Sequence, residues 1–263
     1  MAIADDNRIV RGTLKVILGV MLLVAVGGTG WLIWRAEQNG VFEAWVTGEK
    51  KAEPNLARYE VLVDELKRWR EDLAEAYQEA DNAEQRAEIE HDAKVVLEMV
   101  LPEMMRCWIG TGYDFNGIAE KPGKGRVACG YFVSTVIRDA GFKVNRYKLA
   151  QQPSENILRT FIEKEDCLLS VGKEFESYVD WLEELEPGVY LIGLDTHVGF
   201  IVNRRDGMGF IHSSGAHLVG VVEEPRDQAA AMRNSRWRMI GSFTGDRGVV
   251  RTWLGGKKIQ VVE

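Results

Sequence analysis

"HVGFIVNRRDGMGFIHSSG", His197 to Gly215, decides how this chain folds. "HVGFIV" and "GFIHSS" are short apolar, β-branched and aromatic runs, and Asp206-Gly207 is a turn pair between them. The stretch reads as a β-hairpin with "NRRDGM" as its connection. Side chains alternate faces along each strand. If His197 pairs with Ser214, His212 becomes its diagonal neighbour on the same face, roughly 7–8 Å away between backbones, where two imidazoles can meet. His217 then falls on the opposite face or past the strand end. A one-residue slip would reverse the assignment.

Similar runs surround the hairpin. "GVYLIGL" (Gly188 to Leu194), "LVGVVEE" (Leu218 to Glu224), "WRMIGSF" (Trp237 to Phe243) and "KIQVVE" (Lys258 to Glu263) all read as strands. Helical patterns precede them. This order predicts an α+β domain, with an antiparallel sheet packed against a helix. The helix is "ACGYFVSTVIRDAGF", Ala128 to Phe142, amphipathic and closed by glycine.

That helix opens on Cys129. A free cysteine is a small apolar residue suited to packing. A thiol at a helix start also has a chemical reading, because the positive end of the helix lowers its pKa and favours the thiolate. A nucleophilic thiol needs a base, and the base needs a partner that fixes its tautomer. Cys129, His197 and His212 supply these three parts as nucleophile, base and orienting group. Each histidine also has a packing reading, as a sheet or core residue with its hydrogen bonds satisfied.

Other chemistries find little footing. The net charge of -7 is spread along the 263 residues without a dense basic run, so nucleic acid is not an expected partner. The three cysteines, Cys107, Cys129 and Cys167, and four histidines, His91, His197, His212 and His217, lack zinc-site spacing. No metal or cofactor is expected. His91 lies among charged residues and reads as solvated.

The N-terminal region has its own signature. Val16 to Trp34 contains no charged residue, and nineteen residues of helix span roughly 28 Å, about a bilayer's hydrocarbon core. Arg8, Arg11 and Lys15 precede it, while Glu37, Glu43 and Glu49 follow. The positive-inside rule then gives a cytoplasmic tail over 1–15, a transmembrane signal anchor over 16–35 and the remainder outside the cytoplasm. A cleaved signal peptide is the competing reading.

Residues 36–105 read as a helical spacer. Leu62, Leu66, Trp69, Leu73, Ala76, Ala80, Ala83 and Ala87 form a heptad seam. The seam suits a coiled coil, with another copy or a partner helix, or an amphipathic helix folded against its own domain. Pro102 interrupts the helical pattern, and residues 106–263 form the expected catalytic domain.

From Trp108 to Phe243 the chain resembles the NlpC-type, papain-like bacterial cysteine peptidases that cut cell-wall peptides. "GTGYDFNG" (Gly110 to Gly117) is similar to that family's lead-in to the nucleophile, and "ACGYFVSTVIRDAGF" to its nucleophile helix. "LEPGVYLIG" (Leu185 to Gly193) resembles its turn into the first core strand. "HVGFIV" and "GFIHSS" are similar to the strands bearing its base and third catalytic residue. Gly130 stands where the family commonly has serine, Ala128 where it often has an acid, and 143–186 does not align.

The resemblance implies a papain-like fold and a membrane-anchored, exported thiol hydrolase acting through a thioacyl-enzyme. Its substrate would be a peptidoglycan stem peptide or similar short amide. It implies that Tyr113 lies beside the nucleophile and helps polarise the carbonyl; packing at a loop base is the other reading. The backbone N–H of Cys129 is a natural oxyanion donor. Acyl transfer or deamidation by the same site, and a tethered binding module, are the alternatives. In an oxidising compartment Cys107 and Cys167 could pair, or both could remain buried thiols.

Overall fold

The computed structural model describes residues 52–216 and 219–263. The proposed anchor and His217 lie outside the described residues. Among the described residues, no helix is long and apolar enough to cross a membrane.

Two helices come first, α1 (Leu56–Glu79) and α2 (Ala83–Arg106). The helical spacer is interrupted at Ala80–Asn82. Asn82 caps α2 by accepting from the Gln85 N–H, and the Gln85 side chain returns to the Asp81 N–H at 2.8 Å. These bonds satisfy orphan donors at the new helix start. The chain then turns back on itself, so that Tyr77 bonds Glu90 at 2.9 Å and Arg58 pairs with Glu103.

The hairpin belongs to the same compact unit as the rest, which runs from Ala52 to Glu263. The seam divides: Leu66 and Ala80 are buried and Leu62 and Leu73 pack against the domain core, whereas Trp69, Ala76, Ala83 and Ala87 are exposed. The other buried residues of the two helices, including Tyr59, Ala93, Leu97 and Leu101, lie on the face turned to the domain. His91 is exposed, as its charged surroundings suggested. Pro102 does not end the helix; it is buried in the last turns, and α2 continues to Arg106. Lacking an N–H, it removes one intrahelical bond.

Helix α3 (Cys129–Asp139) carries the candidate nucleophile, followed by the short α4 (Arg146–Ala150) and α5 (Ser154–Arg159). Strand β1 (Leu168–Val171) and helix α6 (Phe175–Glu183) lie in the stretch 143–186 that the resemblance leaves unaligned. Then come β2 (Gly188–Leu194), β3 (Val198–Arg204), β4 (Gly207–Ser214), β5 (Gly220–Pro225), α7 (Ala230–Asn234), β6 (Trp237–Ser242) and α8 (Arg247–Gly255). The six strands form one antiparallel sheet in the order β1-β6-β2-β3-β4-β5. "KIQVVE" adds no strand. After α8 the chain runs over the surface, tied back by bonds from the Ile259 N–H to the Lys143 carbonyl and from the Val262 N–H to the Thr160 hydroxyl.

Alternation explains the two cores. Val189, Leu191, Val198, Phe200, Val202 and Ile211 face the larger helical layer, which contains α1, α2, α3 and α8. Tyr190, Ile192, Ile201, Met208 and Phe210 face α6 and α7. The central strands are apolar on both sides because both sides are covered, so they read as near-continuous hydrophobic runs.

Candidate active site

The β3–β4 pairing opens at one end. It runs from Arg204↔Gly207 to Phe200↔Ile211 and stops there. Yet β3 stays paired with β2 as far as Val198, and β4 with β5 as far as Ser214. The start of α3 fits at this splayed end. The Ser213 hydroxyl donates to the Val127 carbonyl at 2.6 Å, and the Ala128 N–H donates to the Gly117 carbonyl at 2.9 Å. Strand ends and helix start are thus locked together.

Cys129 is the first residue of α3, and its N-cap, Ala128, offers no side-chain bond to the first-turn N–H groups. The sulfur sits among the backbone N–H groups of Val198, Gly130 and Cys129 itself, all of which favour the thiolate. Burial works against them and is the larger effect, so the thiol's pKa is raised. This corrects the expectation drawn from the helix start alone: the N–H groups are present, but desolvation outweighs them. Gly130, which stands where the resemblance leads one to expect serine, is required by a close approach. A Cβ there would lie 2.4 Å from the carbonyl oxygen of Ala150.

His197 immediately precedes Val198, whose N–H lies beside the sulfur, so the chain itself delivers the imidazole next to the thiol. Cys129 and His197 line one cleft of about 570 Å³. No hydrogen bond joins thiol and imidazole among the described residues.

Extending the hairpin register places His197 level with Ser214, the pairing that makes His212 its diagonal neighbour. The connection is tighter than "NRRDGM", with only Arg205 and Asp206 between the strands. The two rings meet edge to face, and His197 Nε2 lies 2.6 Å from His212 Nδ1. His212 is 1% exposed, and the Phe210 ring stacks on it with centroids 4.0 Å apart. Gly199 leaves room for this arrangement, since a Cβ would come within 2.9 Å of the His212 Cβ. Burial, with the neighbouring His212 adding to it, pushes the His197 pKa down to about 3. His197 is therefore a neutral imidazole at physiological pH.

Tyr113 stands beside the thiol but outside the walls of the cleft. Burial raises its pKa, and a thiolate at Cys129 would raise it further, so the phenol keeps its proton as a donor. Its ring lies against Gly215, where a Cβ would come within 2.9 Å.

Sequence reasoning missed Glu224. From β5 its carboxylate reaches His212 Nε2 at 3.0 Å. "LVGVVEE" offers two adjacent acids, and only the β4–β5 register tells them apart. Glu223 instead pairs with Arg106 and Arg204.

All three cysteines are free, so Cys107 and Cys167 remain separate thiols. Among the described residues, no cluster of His, Cys, Asp or Glu could hold a metal ion. In comparisons with known proteins the chain matches no family model, no curated sequence and no solved structure.

Proposed function

We propose that this chain is a cysteine hydrolase of papain-like, NlpC-type construction that cleaves amide bonds through a thioacyl-enzyme. The observation carrying the reading is the wedge of Cys129 into the opened β3–β4 ladder, beside a base already bonded to a second histidine. A purely structural cysteine needs neither a cleft nor an ordered imidazole pair next to it.

In the attack, the Cys129 sulfur bonds to the carbonyl carbon while His197 Nδ1 takes the thiol proton, because Nε2 is engaged with His212. The oxyanion lies near the first-turn N–H of Cys129, with the Tyr113 phenol as a second donor. On collapse the C–N bond breaks, and the imidazolium gives its proton to the departing amine. Water then attacks the thioester, His197 takes a proton from it, and the free thiol returns with a carboxylic acid product.

The charged residues of the cleft wall are Glu155 and Asp195; no Lys or Arg joins them among the described residues. Trp237 adds an aromatic face. Such a cleft suits an amide carrying an ammonium group. A peptidoglycan stem peptide with a diamino acid is such a substrate, and the uncharged run Val16 to Trp34 suits an exported enzyme held at the membrane.

The test is digestion of purified peptidoglycan by the full chain in detergent, with mass analysis of released fragments. Fragments ending in new amine and carboxyl groups, lost in Cys129→Ser, are expected. Fragments joined to an added amine would mark acyl transfer instead. Equal digestion by Cys129→Ser would overturn the reading.

A further inference from the structure

We propose that Glu224 is a positioning residue that fixes, through two imidazoles in series, which nitrogen of His197 is the base. The inference rests on the hydrolase reading above but is tested separately from it. The geometry begins with the β4–β5 register. His212 lies opposite Val222 and Phe210 opposite Glu224, so Glu224 is the diagonal neighbour of His212 on the same face. Stacking on Phe210, with 12° between planes, holds the His212 ring. Its Nδ1 then points to His197 Nε2 at 2.6 Å and its Nε2 to the Glu224 carboxylate at 3.0 Å.

Proton counting does the rest. An ionised carboxylate only accepts hydrogen bonds. A His212 ring with a single proton therefore carries it on Nε2, facing the carboxylate, and its Nδ1 carries a lone pair. The proton between the two rings must then belong to His197 Nε2. That leaves His197 Nδ1 bare, as a thiol-activating base requires. If His212 carried its proton on Nδ1, His197 Nε2 would have to accept. The His197 proton would then sit on Nδ1, and the ring could take nothing from the thiol.

Glu224 is free for this role. Its neighbour Glu223 is occupied by two arginines, whereas the only ion-pair partner of Glu224 among the described residues is His212. The Glu224 side chain is 20% exposed against 1% for His212, so the ring is dry and the carboxylate borders solvent. The carboxylate thus acts on a ring shielded from solvent, where its own geometry decides which nitrogen it meets.

The test is long-range proton–nitrogen NMR on the full chain labelled at histidine, with signals assigned through His197→Asn and His212→Asn. In the unaltered protein both rings should show the Nε2-protonated pattern. In Glu224→Ala the two tautomers should mix, and kcat on the amide substrate should fall roughly 10²–10⁴-fold with KM little changed, as when a catalytic histidine loses its tautomer partner. Glu224→Asp should restore part of both. A His197 protonated on Nδ1 in the unaltered protein would overturn the proposal, even if Glu224→Ala failed to fold. An unchanged tautomer pattern in a folded Glu224→Ala would do the same. The tautomer readout needs no turnover, so it stands or falls apart from the hydrolase reading.

Discussion

The resting state of the thiol and imidazole yields a sharp prediction. The perturbation is pH, and the question is whether the pair rests neutral or as thiolate and imidazolium. Burial raises the thiol above its ordinary 9.0 and takes His197 down to about 3, a gap of at least about six units, or roughly 8 kcal/mol against moving the proton. Attraction between the resulting charges at contact in a partly solvated site returns about 4 kcal/mol. The remainder leaves the ion pair at roughly one part in a thousand, so the proton is expected to move only during attack. The assay is the rate of Cys129 carbamidomethylation from pH 5 to 10, followed by peptide-resolved mass spectrometry so that Cys107 and Cys167 are scored separately. The rate should climb about tenfold per pH unit through neutrality and level off only above pH 9. A flat, fast rate from pH 5 to 8 would show a standing ion pair and refute the reasoning.

Three more outcomes follow from the same contacts. His197 has a folded pKa below its unfolded value, so the folded protein binds fewer protons between about pH 6.5 and 3; stability is full above that window and falls as pH drops through it. Urea unfolding should therefore show a loss of up to about 2 kcal/mol from pH 7 to 5 that is absent in His197→Gln. Gly199→Ala forces a Cβ to within 2.7 Å of the Phe210 ring and 2.9 Å of His212. It should cost roughly 1–3 kcal/mol by overpacking and reduce activity more than stability predicts, checked by melting and turnover together. Glu90 is 6% exposed and bonds Tyr77, Arg247 and Arg251, tying α1, α2 and α8. Glu90→Ala should lower stability by roughly 1–3 kcal/mol by denaturant titration while leaving kcat unchanged.

Parts of this architecture were open to reading because they depend on short-range rules. The Asp206-Gly207 turn and the alternation on either side of it set the hairpin register, and with it the meeting of His197 and His212. Other parts depend on distant partners. The break at Ala80–Asn82 was hidden in a seam of alanines, though Asn82 is itself a capping residue. "KIQVVE" alternates like a strand, but its backbone bonds Lys143 and Thr160, which lie outside the sheet. β1 reads as part of a charged stretch because it is an edge strand with Leu168, Leu169 and Val171 exposed. Glu224 was hidden because the β4–β5 register, and no local pattern, sets which of two adjacent acids shares a face with His212. The raised thiol pKa follows from burial, which no local pattern at a helix start reveals.

The most direct measurement is the intact mass of the full-length protein, quenched in acid within seconds of mixing with peptidoglycan stem peptides. A mass increase equal to the acyl half of the substrate, located on Cys129 and removed by hydroxylamine, is the expected result. It should be absent in Cys129→Ser. Turnover that continues in Cys129→Ser, or fragments released with the acyl group found on another residue, would contradict the account.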